Sequence, residues 1–366
     1  MRSLKFHEGK FKIMQITDIQ DAGDVDAETL RLIGAALDRE KPDLVVLTGD
    51  QVKAHAPSMK KDGAVEKIIR QITAPFEARG VPFTLAFGNH DAQGVPVTRQ
   101  LAWYLESPMC VARDTPGVSG CGNHNIVIED ENGNPALNVY MLDSHGNTGL
   151  GYRPLEPDQI GWYRDTREAL REQAGDYVPS LLFQHIPVEA TYRVLAAHDK
   201  KQKGAVRGFA GLKDKYFTLD EGRAYPGGRL LESLCVPDSD AGLFEAAREK
   251  GEMLGMFFGH DHKNSFAGRV DGIDLGYCPG CGFATYGDGV RRGVRVFEID
   301  QADPRAYQTR VVTYGALFGA KRVKKLKHWL TDQIPTSEAD AVSKGLKALL
   351  VLGVIAGIIA ALKVLF

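Results

Sequence analysis

Five short motifs place candidate metal-binding and proton-transfer side chains at intervals along the chain. They are ITDIQ at Asp18, LTGD at Asp50, GNHD from Gly88 to Asp91, QH at His185 and GHDH from Gly259 to His262. Their carboxylate, amide and imidazole groups are the oxygen and nitrogen donors that a pair of divalent metal ions requires. One such motif is weak evidence, because a lone histidine in an apolar stretch is more often a core residue. Five motifs in one chain predict a shared metal site.

Each motif ends a short apolar run that is typical of a buried strand. The runs are KIMQI, PDLVVL, PFTLAF, SLLF and MLGMFF. Runs of this length, rich in Val, Ile, Leu and Phe and followed by polar residues, predict strands that deliver their last residues to a sheet edge. Functional sites of layered α/β folds gather at the carboxyl ends of strands. We therefore expect the five motifs to converge on one crevice.

The bulk composition fits one large α/β domain. The chain has 366 residues and is 43% hydrophobic, which is sufficient for a full core. Its 45 Lys plus Arg nearly balance 47 Asp plus Glu, so no overall field recruits nucleic acid, and we expect no nucleic-acid partner. The first residues, MRSLKFHEGKF, lack the apolar core of a signal peptide, and the cysteines are odd in number. Together these features predict a reducing, cytoplasmic location.

Several connecting segments have their own patterns. The sequence predicts a helix over 28–40 with Asp26 as its N-cap, a helix over 64–78, and a β-hairpin over 124–143. Asp143 and His145 at the hairpin exit are candidates to line the crevice. In the second half, the sequence predicts strands over 270–278, 283–286 and 292–299.

Two further segments carry residues that could do chemistry. Residues 198–228 are basic, Gly-rich and non-periodic, which predicts a long surface loop. Its cations either meet substrate phosphate or are simply solvated; they are Lys200, Lys201, Lys203 and Arg207. Cys278 and Cys281 form CPGC, for which a tight turn is favoured over a redox or zinc half-site.

The order of the motifs resembles the calcineurin-like metallophosphoesterase family, and the resemblance covers residues 10 to about 300. It implies an α/β metallo-dependent phosphatase fold, in which helices flank a two-sheet β-sandwich. It also implies hydrolysis of phosphoric esters by a hydroxide held between two metal ions. HIPVE and GHDHKNSFAGRVDGIDLGY look like the Dcr2 and purple-acid-phosphatase-16-like branch.

The resemblance assigns roles to individual residues. Asp18 and His262 would bind the first metal, Asp50 would bridge both metals, and Asn89, His185 and His260 would bind the second. Asn89 and His90 would contact the phosphorylated substrate. His90 would also protonate the leaving group, and Asp91 would orient the His90 imidazole.

The first motif departs from the family pattern. The family usually has DxH there, whereas Gln20 occupies the third position in this chain. A Gln carbonyl is a harder and weaker ligand than imidazole, so the first site should prefer Mn or Mg over Zn. A manganese-dependent branch that cleaves ADP-ribose and CDP-alcohols resembles this DIQ motif. We expect two divalent ions, with Mn favoured and Fe, Mg or Zn as alternatives. The alternative function is a catalytically weakened metal-binding or membrane-associated interaction protein.

The chain ends in a different composition. We expect a catalytic domain over 1–315, a basic and polar linker over 316–345 and a hydrophobic helix over 346–366. That apolar run is long enough to cross a bilayer, and the upstream basic run would favour the cytoplasmic side. Gly353 and Gly357 form GxxxG, a spacing through which membrane helices self-associate. We expect a membrane anchor; the alternative is a helix packed on the domain.

Overall fold

The computed structural model describes residues 4–61, 63–149, 151–319, 326–334 and 345. The strands are β1 Leu4–Lys5, β2 Lys10–Ile16, β3 Leu44–Thr48, β4 Phe83–Ala86, β5 His124–Glu129, β6 Pro135–Met141, β7 Asn147–Thr148, β8 Gly151–Tyr152, β9 Ser180–Phe183, β10 Leu195–His198, β11 Val206–Arg207, β12 Tyr216–Leu219, β13 Met253–Phe258, β14 Ala267–Val270, β15 Ile273–Tyr277, β16 Gly293–Asp300 and β17 Asp303–Thr313. The α-helices are α1 Ala27–Glu40, α2 Ala64–Glu77, α3 Val97–Leu105, α4 Pro157–Ala174, α5 Leu243–Arg248, α6 Tyr314–Phe318 and α7 Leu326–Asp332.

Two mixed sheets form the body of the domain. A five-stranded sheet has the order β17-β16-β2-β3-β4, and a seven-stranded sheet has the order β1-β5-β6-β9-β13-β15-β14. Strands β2, β3 and β4 run parallel in the first sheet, and β6, β9, β13 and β15 run parallel in the second. Within each sheet, the carboxyl ends of these strands therefore share one edge.

Neighbouring residues of a strand pack into different apolar layers. Ile13 of β2 belongs to the apolar layer that also contains Phe183 and Phe257 of the facing sheet. Its neighbour Met14 packs instead with the apolar residues of α1 and α2. Likewise, Met256, next to Phe257, packs with the residues of α4 and α5. Because successive side chains point to opposite faces, each strand joins both layers. The predicted two-sheet sandwich flanked by helices is confirmed.

The local elements agree with the sequence in most places. Asp26 caps α1 by accepting a hydrogen bond from the Glu28 amide at 3.0 Å. The hairpin is the antiparallel pair β5 and β6. The strand predicted over 283–286 is wrong, since this segment is a loop. Residues 198–228 are not a structureless loop either, because β11 and β12 join β10 in a small antiparallel sheet.

The C-terminal region is described only in part. Helix α6 crosses the expected boundary between 315 and 316. In α7, Lys327 and His328 contact the Asp26 carboxylate at 2.9 and 3.2 Å, which attaches this helix to the start of α1. The hydrophobic helix predicted over 346–366 lies outside the described residues, together with Gly353 and Gly357. Among the helices that are described, none combines the length and the apolar character needed to cross a membrane.

Candidate metal centre

The carboxyl ends of strands from both sheets meet at one crevice. Asp18 and Gln20 follow β2, Asp50 follows β3, Asn89, His90 and Asp91 follow β4, His185 follows β9, and His260 and His262 follow β13. Hydrogen bonds tie these ends together: the Gly259 amide donates to the His185 carbonyl at 3.1 Å, and the His260 amide donates to Asp18 Oδ2 at 3.0 Å. The predicted convergence is therefore observed.

One cluster of ligand atoms centres on Asp50. Ligand atoms of Asp50, His185 and His260 all lie within 4.8 Å of one another, and all three residues are buried. His185 Nε2 lies 3.3 Å from Asp50 Oδ2, 3.1 Å from Asn89 Oδ1 and 3.2 Å from His260 Nδ1. The other ring nitrogen, Nδ1, donates to the Thr48 carbonyl at 2.9 Å, so Nε2 is the ring nitrogen that faces the cluster.

This arrangement requires a positive charge. His185 Nε2 is close to both the Asn89 carbonyl oxygen and the Asp50 carboxylate, two acceptors that are costly to bury without a cation or a donated proton. Burial opposes protonation of His185, yet Asp50 raises the pKa of His185 to about 10. The same pair holds the pKa of Asp50 well below its usual value despite burial. A divalent metal ion would supply the charge that the protein alone meets with a proton.

A second cluster shares Asp50. Ligand atoms of Asp18, Asp50 and His262 also lie within 4.8 Å of one another. His262 Nδ1 donates to the Tyr286 carbonyl at 2.9 Å, and the ring stacks on Tyr286 with 4.0 Å between the ring centroids, so Nε2 is the ring nitrogen that faces Asp18 Oδ1, at 3.2 Å. Asp18 Oδ1 is buried without a hydrogen-bond partner among the described residues. Both clusters therefore fit divalent metal ions, with Asp50 between them.

The backbone at these positions is strained. Asp18, Gln20, Asp50 and His260 have φ angles of 53°, 42°, 53° and 74°, in the left-handed region that residues other than glycine rarely adopt. Such conformations persist where the surroundings enforce them, and they cluster at functional sites. Here they turn the side chains that follow β2, β3 and β13 into the crevice.

Gln20 does not present the group that we expected. Its amide nitrogen donates to Asp50 Oδ2 at 2.6 Å, while its carbonyl oxygen accepts from the Thr285 hydroxyl at 2.8 Å. The ligand role predicted for the Gln20 carbonyl is therefore not what this geometry shows. In this orientation Gln20 positions the carboxylate shared by both clusters.

His90 lies at the open side of the cluster. Its amide donates to Asp50 Oδ1 at 2.8 Å, and its ring Nε2 is 4.0 Å from Asp50 Oδ2 with the side chain 30% exposed. Gln93 Oε1, at 2.8 Å from Nδ1, orients the ring. The role predicted for Asp91 in orienting this ring is wrong. The Asp91 carboxylate instead accepts hydrogen bonds from the amides of Val52 and Gly88. These hydrogen bonds close the turn behind the cluster.

Sequence reasoning missed the segment after β15. A Cβ at Gly282 would lie 1.9 Å from the Ile19 carbonyl oxygen, and the Gly282 amide donates to the Asp18 carbonyl at 3.0 Å. The fully buried Arg292 donates to the carbonyls of Gly282 and Thr285, at 2.7 Å each. The glycine-rich sequence CPGCG was the only signal for this contact in the sequence. The segment supports the turn that contains Asp18. Cys278 and Cys281 are free thiols.

Asp143 and His145 hold neighbouring loops. Asp143 accepts hydrogen bonds from the amides of Cys121 and His145, both at 2.8 Å. His145 Nε2 lies 2.8 Å from Gln159 Oε1. These contacts are structural, and they give neither residue a place in the two ligand clusters described above.

Comparison with known proteins agrees with the geometry. The family model described as calcineurin-like phosphoesterase matches residues 11–264. An Arabidopsis thaliana protein named probable inactive purple acid phosphatase 14 is 28% identical, over 89% of this chain and 83% of that protein. The phosphatase DCR2 of Saccharomyces cerevisiae is 27% identical, over 80% of this chain but only 52% of its own length. A dimetal phosphatase from Danio rerio shares the fold, with a TM-score of 0.50, 15% identity and coverage of 83% of this chain and 99% of that one.

Proposed function

The chain belongs to the calcineurin-like phosphoesterase family, and on that premise we propose that it is a metal-dependent hydrolase of phosphoric esters. The observation that supports this most is the convergence of imidazole, amide and carboxylate groups around Asp50. Two divalent ions bound there would supply a water of lowered pKa and positive charge opposite the phosphoryl oxygens.

The ligand residues would be divided between the two ions. Asp18 and His262 would hold one ion, while Asn89, His185 and His260 would hold the other, with Asp50 shared between them. These oxygen and nitrogen donors, without any thiolate, suit Mn²⁺, which we propose as the native metal. The His185 ring is fixed by the Thr48 carbonyl and the His262 ring by the Tyr286 carbonyl, so both imidazoles are oriented before an ion arrives.

We propose that His90 completes the reaction. Water adds its oxygen to phosphorus, and the bond from phosphorus to the ester oxygen breaks. That oxygen then takes a proton, which His90 would give from Nε2, because Gln93 contacts the other ring nitrogen, Nδ1. The side chain is partly exposed, so the ring can regain a proton from solvent.

A direct experiment uses purified protein with added Mn²⁺. An aryl phosphate, a phosphodiester and a diphosphate are offered in parallel to the wild type and to Asp50→Asn. We expect turnover of at least one class by the wild type and loss of that turnover in the variant. Equal rates in both proteins would show that the hydrolysis does not come from this site.

A second candidate is a metal-binding protein without turnover. Two observations favour it: Gln20 offers its amide nitrogen rather than a ligand atom to the cluster, and the relative from Arabidopsis thaliana carries the word inactive in its name. Metal bound without turnover of any of the three substrate classes would support this candidate. Turnover that depends on Asp50 would exclude it.

A further inference from the structure

A cavity of about 410 Å³ lies next to His90 and is lined by two neighbours of that residue, His55 and Gln93. Two of its lining residues contact His90 directly. Gln93 accepts a hydrogen bond from His90 Nδ1, and the ring centroids of His55 and His90 are 5.0 Å apart. The volume is in the range of small-molecule sites. Because it borders the proposed proton donor, it occupies the side of the site where a leaving group would sit.

Among the described residues, all the formally charged side chains that line this cavity are positive. Its lining includes Lys60, Lys61 and Arg99, and no acidic residue is among the described residues that line it. None of these three cations has a described carboxylate within ion-pair distance, whereas the nearby Arg70 pairs with Glu66. The Arg99 guanidinium lies 5.0 Å above the Trp103 ring, which forms one wall. Unpaired cations that line a cavity attract an anionic ligand.

We propose that this cavity binds the leaving group of the substrate, and that the leaving group carries a phosphate of its own. The proposal rests on the proposed hydrolase function, because the leaving group is expected on the side of the site where His90 donates its proton. The ions at Asp50 would face the scissile phosphate, while the cavity lysines would face the second phosphate. The substrate class is therefore a small bisphosphorylated compound.

Two matched substrates test the proposal, namely the monophosphate and the bisphosphate of propane-1,3-diol. Both release an alkoxide, and they differ only in the far end of the leaving group. We expect the wild type with Mn²⁺ to have a higher kcat/KM for the bisphosphate. The double variant Lys60→Gln/Lys61→Gln should lower this preference by roughly tenfold, as expected for the loss of two exposed charge contacts.

A matched variant removes the same charge elsewhere. Lys200→Gln/Lys201→Gln alters two exposed lysines of the basic segment after β10, and the preference for the bisphosphate should stay as in the wild type. If this variant loses the preference and the cavity variant keeps it, the second phosphate binds at that segment and the proposal is wrong. An absence of any preference in the wild type would also overturn it.

A binding measurement separates the cavity from the hydrolase proposal. Trp103 lines the cavity, so its fluorescence in the full chain without added metal should change saturably on titration with the bisphosphate. The change should be absent in Trp103→Phe and weakened in Lys60→Gln/Lys61→Gln. If no substrate is turned over but this titration succeeds, the hydrolase proposal fails and the anion site stands. A wild-type titration without a saturable change refutes the anion site whatever the kinetics show.

Discussion

The amide nitrogen of Gln20 donates a 2.6 Å hydrogen bond to Oδ2 of Asp50, the carboxylate that both ligand clusters share. The Gln20 carbonyl accepts a hydrogen bond from the Thr285 hydroxyl. A neutral amide therefore stands where imidazole is usual in the family, and its nitrogen contacts the carboxylate that both ligand clusters share. The proposed first metal site would have one donor fewer as a result.

This relationship leads to a prediction for Gln20→His. An imidazole at this buried position adds a softer donor, so the first site should bind Zn²⁺ at least tenfold more tightly and favour it over Mn²⁺. Competition with a chromophoric chelator measures both affinities. Thr285→Val is the control, because it removes the partner of the carbonyl without adding a nitrogen ligand. An unchanged Zn²⁺ affinity in Gln20→His would show that this side chain cannot reach the ion.

His90→Ala should separate substrates by their leaving groups. Aryl phosphates release a phenolate that needs little protonation, whereas alkyl phosphates depend on a general acid. We expect the rate to fall by about a hundredfold or more for an alkyl phosphate and by far less for an aryl phosphate, with the bound metal unchanged. Equal losses on both substrates would contradict the assignment of His90 as the acid.

Gly282→Ala should disturb the turn that holds Asp18. Its new Cβ would lie 1.9 Å from the Ile19 carbonyl oxygen, a contact that backbone movement alone can relieve. We expect a loss of about 1–3 kcal/mol in the free energy of unfolding, together with weaker metal binding. Gly161→Ala in α4 meets open space and should stabilise slightly. Chemical denaturation compares the two, and equal stabilities would refute the close-contact argument.

His124 should make stability depend on pH. Burial lowers its pKa to about 4, and its ring nitrogens contact Thr84 and the Gly122 carbonyl. Between pH 6.5 and 4 the unfolded chain binds a proton that the folded chain does not. The free energy of unfolding therefore falls as pH decreases through this window, by up to roughly 3 kcal/mol. Denaturation at pH 7.5, 6 and 5 should show a smaller fall for His124→Gln, and identical pH profiles would contradict the prediction.

The sequence predicted the features that follow from local pattern. Apolar runs before Asp18, Asp50 and His185 marked the strands, and parallel strand ends share an edge by geometry. Both sheets could be predicted in this way, as could the capping of α1 by Asp26. Each of these inferences depends on neighbours in the chain.

Side-chain orientation could not be predicted in the same way. Whether Gln20 offers its oxygen or its nitrogen depends on Thr285, which is 265 positions away in the chain. Gln93 rather than Asp91 orients His90, because the two backbone amides that Asp91 accepts from are brought together only by folding. The support that Gly282 gives to the Asp18 turn has the same origin. Contacts between distant segments decide all three, and one sequence does not reveal them.

We propose that Asp50 joins two divalent metal ions. Equilibrium dialysis of the purified chain against Mn²⁺, followed by elemental analysis, measures the bound metal directly. We predict about two ions per chain for the wild type, at most one for Asp50→Asn, and two for the control Asp143→Asn, whose carboxylate accepts loop amides instead. Wild type without stoichiometric metal, or Asp50→Asn with as much metal as the wild type, would contradict the dinuclear site.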